Sequence, residues 1–129
     1  LDAIVATTAL QVTPAYKLVD YVINTGNIIT SSAQITLEKD GENKQAIGIG
    51  DGPIDAAFTT IEQIVGHHYE LDDFQIHSVT EGREATGSAL VKLRSNGKLY
   101  SGNGVSTDII GASIRAYINA INKIIFEEI

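Results

Sequence analysis

Gly48-Ile49-Gly50-Asp51-Gly52-Pro53-Ile54-Asp55-Ala56-Ala57 is the stretch that decides how this chain folds. Before it, residues 43 to 49 alternate as a strand does. After it, Ile54, Ala57, Phe58, Ile61, Ile64 and Val65 fall on one face of a helix. Pro53 suits the first helical turn, where its missing N–H leaves no intrahelical bond unmade. Gly66 is placed to end the helix in a left-handed conformation. The stretch is therefore a strand-to-helix junction. Working outward, Ser32 to Lys39 alternates through Ala33, Ile35 and Leu37 and turns at Asp40-Gly41, and Leu18 to Asn24 alternates more weakly. The order is β-β-β-α.

That order recurs. Phe74, Ile76 and Ser78 alternate on one strand, and Ala89 to Arg94 forms another. Asn96-Gly97 is the strongest short hairpin signal in the chain, because both central positions of a type I′ turn need positive φ. Lys98 to Ser101 then leads to a second junction, Gly102-Asn103-Gly104-Val105-Ser106-Thr107-Asp108-Ile109-Ile110, with Ser106 or Thr107 as the expected N-cap of a helix running to about Ile124. The predicted fold is α+β: a tandem β-β-β-α repeat with antiparallel sheets and helices packed on one face. The units are residues 16–66 and 67–129. Residues 1–15, which begin at Leu1, read as a linker from an upstream domain.

The helices differ. The first has one apolar face backed by Thr59, Thr60, Glu62 and Gln63. The second carries two stripes, one of Ile110, Ile114, Tyr117, Ile121 and Ile124 and one of Ala112, Ala116 and Ala120, with a narrow polar strip of Arg115, Asn119 and Asn122. A helix apolar over so much of its circumference needs two neighbours. The alanines are expected to admit a second helix or chain at close range, and a homodimer is expected.

Composition narrows the function classes. The chain has 129 residues, enough for one domain with a core of its own, and no cysteine, which excludes disulfides and cysteine–zinc sites. Sixteen acidic against nine basic residues give a net charge of -7, so neither nucleic acid nor an anionic membrane is an expected partner. No apolar run reads as a membrane span and no signal-peptide pattern occurs, and a cytoplasmic location is expected.

No catalytic pair stands out, since no serine sits in a Gly-x-Ser-x-Gly elbow and the carboxylates show no paired spacing. No catalytic residue and no metal site are expected. His67 and His68 read as a solvated loop. His77, on a strand opposite the Phe74/Ile76 side, is a candidate pocket residue. The two junctions remain. Each aims backbone N–H groups and the positive end of a helix dipole at one spot, an arrangement that suits a carboxylate. Asp51, Asp55 and Asp108 offer acids for an ammonium, and Ile54 and Ile109 offer an aliphatic wall. A branched-chain amino acid fits such a site.

At these residues the chain resembles a known family. Gly50-Asp51-Gly52-Pro53-Ile54-Asp55-Ala56-Ala57-Phe58 with Ile61 is similar to the signature of the C-terminal regulatory domain of 2-isopropylmalate synthase. So are Tyr16-Lys17-Leu18-Val19-Asp20-Tyr21, Val79-Thr80-Glu81-Gly82 with Ala85 and Gly87, and Thr107-Asp108-Ile109-Ile110 with Ala112 and Ser113. The resemblance implies a duplicated, dimerising domain that binds leucine and inhibits condensation of acetyl-CoA with 2-oxoisovalerate in a separate N-terminal barrel. It implies no cofactor here, with a divalent metal confined to that barrel. It places leucine at Gly50, Asp51, Gly52, Pro53, Ile54 and Asp55, at His77, and at Gly104, Thr107, Asp108 and Ile109. Two alternatives stay open: an isoleucine-sensing domain similar to that of citramalate synthase, and a dimerisation module with a vestigial site. A small enzyme on a ferredoxin-like sheet would need a catalytic pair.

Overall fold

The computed structural model describes residues 15–25, 31–81 and 84–128. Apart from Ala15, the expected linker lies outside them, as does part of the Val79–Gly82 stretch. The elements run β1 (Lys17–Asn24), β2 (Ser31–Lys39), β3 (Glu42–Gly50), α1 (Pro53–Val65), β4 (Glu70–Glu81), β5 (Glu84–Ser95), β6 (Lys98–Ser106) and α2 (Ile109–Glu128). They form two antiparallel three-stranded sheets, β1-β2-β3 and β4-β5-β6. The α+β duplication is as the sequence predicts.

The duplication is close at the level of single residues. Ala33, Ile35 and Leu37 face Gly48, Ala46 and Lys44 across β2–β3, and Ala89, Val91 and Leu93 face Gly104, Gly102 and Tyr100 across β5–β6. One constant spacing in sequence relates these pairs. The same spacing carries Asp40-Gly41 onto Asn96-Gly97, and all four of these turn residues have positive φ. It also carries Pro53 onto Ile109, the first residue of each helix. Two hairpins with the same turn chemistry thus fix two sheets in the same register.

Helices lie unusually close to the third strands. A Cβ on Gly48 would press into Thr60, and one on Gly50 into the backbone of Ala56. On the second sheet, a Cβ on Gly102 would overlap Ala116 and Ala120, and one on Gly104 would overlap Ala112 and Ala116. Two corrections follow. The strand β6 runs through Gly102-Asn103-Gly104 to Ser106, so those glycines are strand residues, not turn residues. The alanine stripe of α2 meets its own sheet rather than a second subunit. Small residues on both surfaces let helix and sheet backbones approach.

The Ile/Tyr stripe of α2 supplies the expected helix–helix contact. Tyr117 stacks on Phe58 of α1 with ring centroids 4.1 Å apart, and Phe58 also meets Phe74 of β4 edge-on at 5.6 Å. The Tyr117 hydroxyl donates to Glu62 Oε2 at 2.7 Å, and His68 Nδ1 lies 2.9 Å from the same oxygen. Burial, and then that bond to Glu62, push the Tyr117 phenol well above its ordinary range. In return α2 reaches the first unit's leading strand. Asn122 clamps the Tyr16 main chain, accepting its N–H and donating to its carbonyl, both at 2.9 Å. Ile114, Tyr117, Ile121 and Ile124 are fully buried as a result. By length and hydropathy α2 does qualify as a membrane span, contrary to the sequence expectation, and its place in the core accounts for that composition.

Candidate functional site

The two helix starts occupy equivalent places in the repeat and are built differently. At α1 the N-cap is Gly52, extended at φ -158, and no side chain caps the first turn. Pro53 contributes no N–H, so those of Ile54 and Asp55 belong to the group a helix cannot satisfy internally. The Asp55 carboxylate turns back to accept the Asp51 N–H through Oδ2 at 3.0 Å. Asp51 and Asp55 are exposed, and Gly52, Pro53 and Ile54 are half-buried. A Cβ on Gly52 would meet nothing within 4 Å. This start is open, with dipole and N–H groups beside one carboxylate.

At α2 the N-cap is Asp108, which corrects the expectation of Ser106 or Thr107. Its Oδ1 accepts the Gly111 N–H at 2.7 Å, and its backbone carbonyl accepts the first helical bond from Ala112. Asp108 Oδ2 accepts the Tyr21 hydroxyl of β1 at 3.1 Å. Burial first, and then this bond, raise the Tyr21 pKa. A Cβ on Gly111 would come 2.5 Å from that hydroxyl, so the glycine makes room for the contact. The second start already holds an anion, and that anion is its own side chain.

The predicted site residues therefore fall into three places. Gly50, Asp51, Gly52, Pro53, Ile54 and Asp55 gather at the first start, where Gly50 is a strand residue against the helix backbone. Gly104, Thr107, Asp108 and Ile109 belong to the second, with Gly104 buried under α2, Thr107 exposed, and Ile109 packed toward Gly87. Among the described residues, none of the side-chain hydrogen bonds at one start reaches the other. His77 stands exposed on β4, opposite Ser88, on the sheet face turned away from α2. Gly50, Gly52 and Gly104 do not take positive φ; the positive-φ glycines among the described residues are Gly41, Gly66 and Gly97.

Sequence reading missed Tyr21 and Gly111. Asp108 as N-cap was available from its preference for that position directly before an apolar helical run. Nothing local marks Tyr21, whose partner lies in the other unit.

The family described as LeuA allosteric (dimerisation) domain matches residues 1–125. The chain is 42% identical over 118 residues to 2-isopropylmalate synthase of Ruminiclostridium cellulolyticum, covering 92% of this chain and 23% of that protein. It is 40% identical over 128 residues to 2-isopropylmalate synthase of Carboxydothermus hydrogenoformans, covering 98% and 25%. With the enzyme of the same name from Caulobacter sp. (strain K31) it shares 46% over 93 residues, covering 72% and 18%. The chain spans at most about a quarter of the length of these curated relatives.

Proposed function

The chain belongs to the LeuA allosteric (dimerisation) domain family, and on that premise we propose that it is the leucine-responsive regulatory part of a 2-isopropylmalate synthase. In this reading the acyl transfer takes place in a catalytic part encoded elsewhere in a longer protein. Two copies of the domain pair, and leucine bound to the pair inhibits the condensation. Leucine inhibits only by binding one arrangement of the assembly better than another.

The open start of α1 is the observation that carries the ligand reading. A leucine carboxylate placed there meets backbone N–H groups and the helix dipole. The Asp55 carboxylate stands within the same turn for the ammonium, and Ile54 offers an aliphatic contact. The second start, filled by Asp108, serves in this reading as a fixed joint between units. The alternative of a dimerisation module with a vestigial site drew its support from the alanine stripe of α2, which the β6 glycines already occupy.

Calorimetry on the 129-residue chain tests the reading. Leucine is expected to give saturable heat, and isoleucine to bind about 10-fold or more weakly, the usual discrimination for one displaced methyl. Gly52→Asp puts a side-chain carboxylate where the ligand's belongs and is expected to abolish the heat while the circular dichroism spectrum stays native. Absence of heat with the unaltered chain, or undiminished leucine affinity in the folded variant, overturns the assignment.

A further inference from the structure

A groove of about 300 Å³, open to solvent, lies between the beginning of β1 and the middle of α2. Its floor is apolar, made by buried Tyr16 and Ile118 and half-buried Leu18. Lys17 and Arg115 stand at its rim, both exposed. Two amides complete the lining, and each already donates a hydrogen bond from its NH2 group. Asn122 holds the Tyr16 main chain, and Asn119 Nδ2 donates to the Asn103 carbonyl at 2.6 Å. The wall is thus fixed by hydrogen bonds before any ligand arrives.

Charge sets this groove apart from the rest of an acidic molecule. Among the described residues no Asp or Glu lines it. Arg94 and Lys98 pair with Asp72 and Glu127, whereas neither Lys17 nor Arg115 makes an ion pair among the described residues. Glu38 is the cross-strand neighbour of Lys17 without bridging to it. Asp108, on the same helix as Arg115, is engaged by Gly111 and Tyr21. A third cation, Lys39, lies 5.2 Å over the Tyr16 ring.

We propose that this groove is a second binding site, separate from the helix starts, for a short branched aliphatic carboxylate that carries no amino group. The volume is at the small end for ligand sites, and an apolar floor with few polar groups is their usual make-up. The branched chain covers Ile118 and Leu18. The guanidinium fork of Arg115 takes the carboxylate in a two-point contact, and Lys17 adds a second charge. A free amino acid is disfavoured because its ammonium would sit beside two cations with no carboxylate among the described lining residues to receive it. The site goes beyond the effector reading, since it selects the deaminated form of the skeleton that reading assigns to α1.

Amide chemical shifts of the ¹⁵N-labelled 129-residue chain test the proposal, titrated with 4-methylpentanoate and, separately, with leucine at equal ionic strength. Saturable shifts at Leu18, Ile118 and Asn119 are expected with 4-methylpentanoate, and none at these positions with leucine. Arg115→Gln is expected to weaken 4-methylpentanoate binding by about 10-fold, the loss of one charge-assisted two-point contact. Because Arg115 is exposed, the spectrum outside the groove should remain native. Should it not, Lys17→Gln provides the same comparison with a smaller expected loss. Unmoved groove amides, equal shifts with leucine, or unchanged affinity in a folded variant would each overturn the proposal.

Discussion

The starts of α1 and α2 are the same position in a repeated unit, yet one is left open and the other is closed. Gly52 occupies in the first unit the place that Asp108 occupies in the second. At α2 a carboxylate on the N-cap reaches forward to the third helical N–H and sideways to Tyr21. At α1 the carboxylate sits inside the first turn, on Asp55, and reaches back to Asp51. Duplication has thus produced one helix start capped by its own side chain and one left without a side-chain cap. In the reading proposed above, that divergence separates a structural role from a binding role.

Glycine substitutions should break the comparison most severely. Gly104→Ala puts a methyl into the backbone of α2, and Gly52→Ala puts one into open space. The first is expected to cost about 3 kcal/mol or prevent folding, as overpacking between rigid backbones does. The second should cost only about 0.5–1 kcal/mol, the difference between glycine and alanine as an N-cap. Urea denaturation midpoints of the two variants measure the difference, and similar midpoints would undo the close-packing account.

Opening the closed start is the next largest effect. Asp108→Ala removes the N-cap and the acceptor for Tyr21, and a loss of about 1–2 kcal/mol is expected by thermal or urea unfolding. A spectroscopic readout separates this from general damage. Burial and the Asp108 bond both raise the Tyr21 pKa, so removing Asp108 should bring phenolate absorbance in at lower pH. The sign for stability follows from linkage. A raised folded-state pKa favours the folded state below the unfolded value near 10, and that advantage is lost as pH climbs through the folded value. The variant should therefore lose less additional stability above pH 10 than the unaltered chain.

Closing the open start has the smallest effect on stability. Gly52→Asp makes α1 resemble α2 and is expected to stabilise by a few tenths of a kcal/mol, since glycine is already a tolerable N-cap. A higher melting temperature together with lost leucine binding would sharpen the contrast between the two starts. A lower melting temperature would show that the first start does not accept an anion.

The repeat was legible in the sequence because each of its parts leaves a local mark. Asp40-Gly41 and Asn96-Gly97 announce hairpins, Pro53 and Gly66 bracket a helix, and Ala33-x-Ile35-x-Leu37 has its counterpart in Ala89-x-Val91-x-Leu93. The glycines near each helix were legible as a pattern and misleading as to cause. Gly48, Gly50, Gly102 and Gly104 look like turn residues when read along the chain, and only the helix lying across them shows that they answer to packing. The same holds for Ala112, Ala116 and Ala120, whose partner surface is a strand of their own unit. Tyr21 and Asn122 could not be assigned, because each acts on the other half of the duplication, and periodicity carries no record of contacts at that range.

The clamp of Asn122 on Tyr16 has a mechanical implication. Tyr16 is where the chain enters the first sheet, and Asn122 sits on the closing helix, whose opening residue Asp108 in turn grips Tyr21 of the same entering strand. Tension or rotation delivered to that strand bypasses the intervening sheets and acts on the closing helix at two points about four turns apart. The entry strand and the final helix would consequently move together as a lever, with its handle at the beginning of the fold.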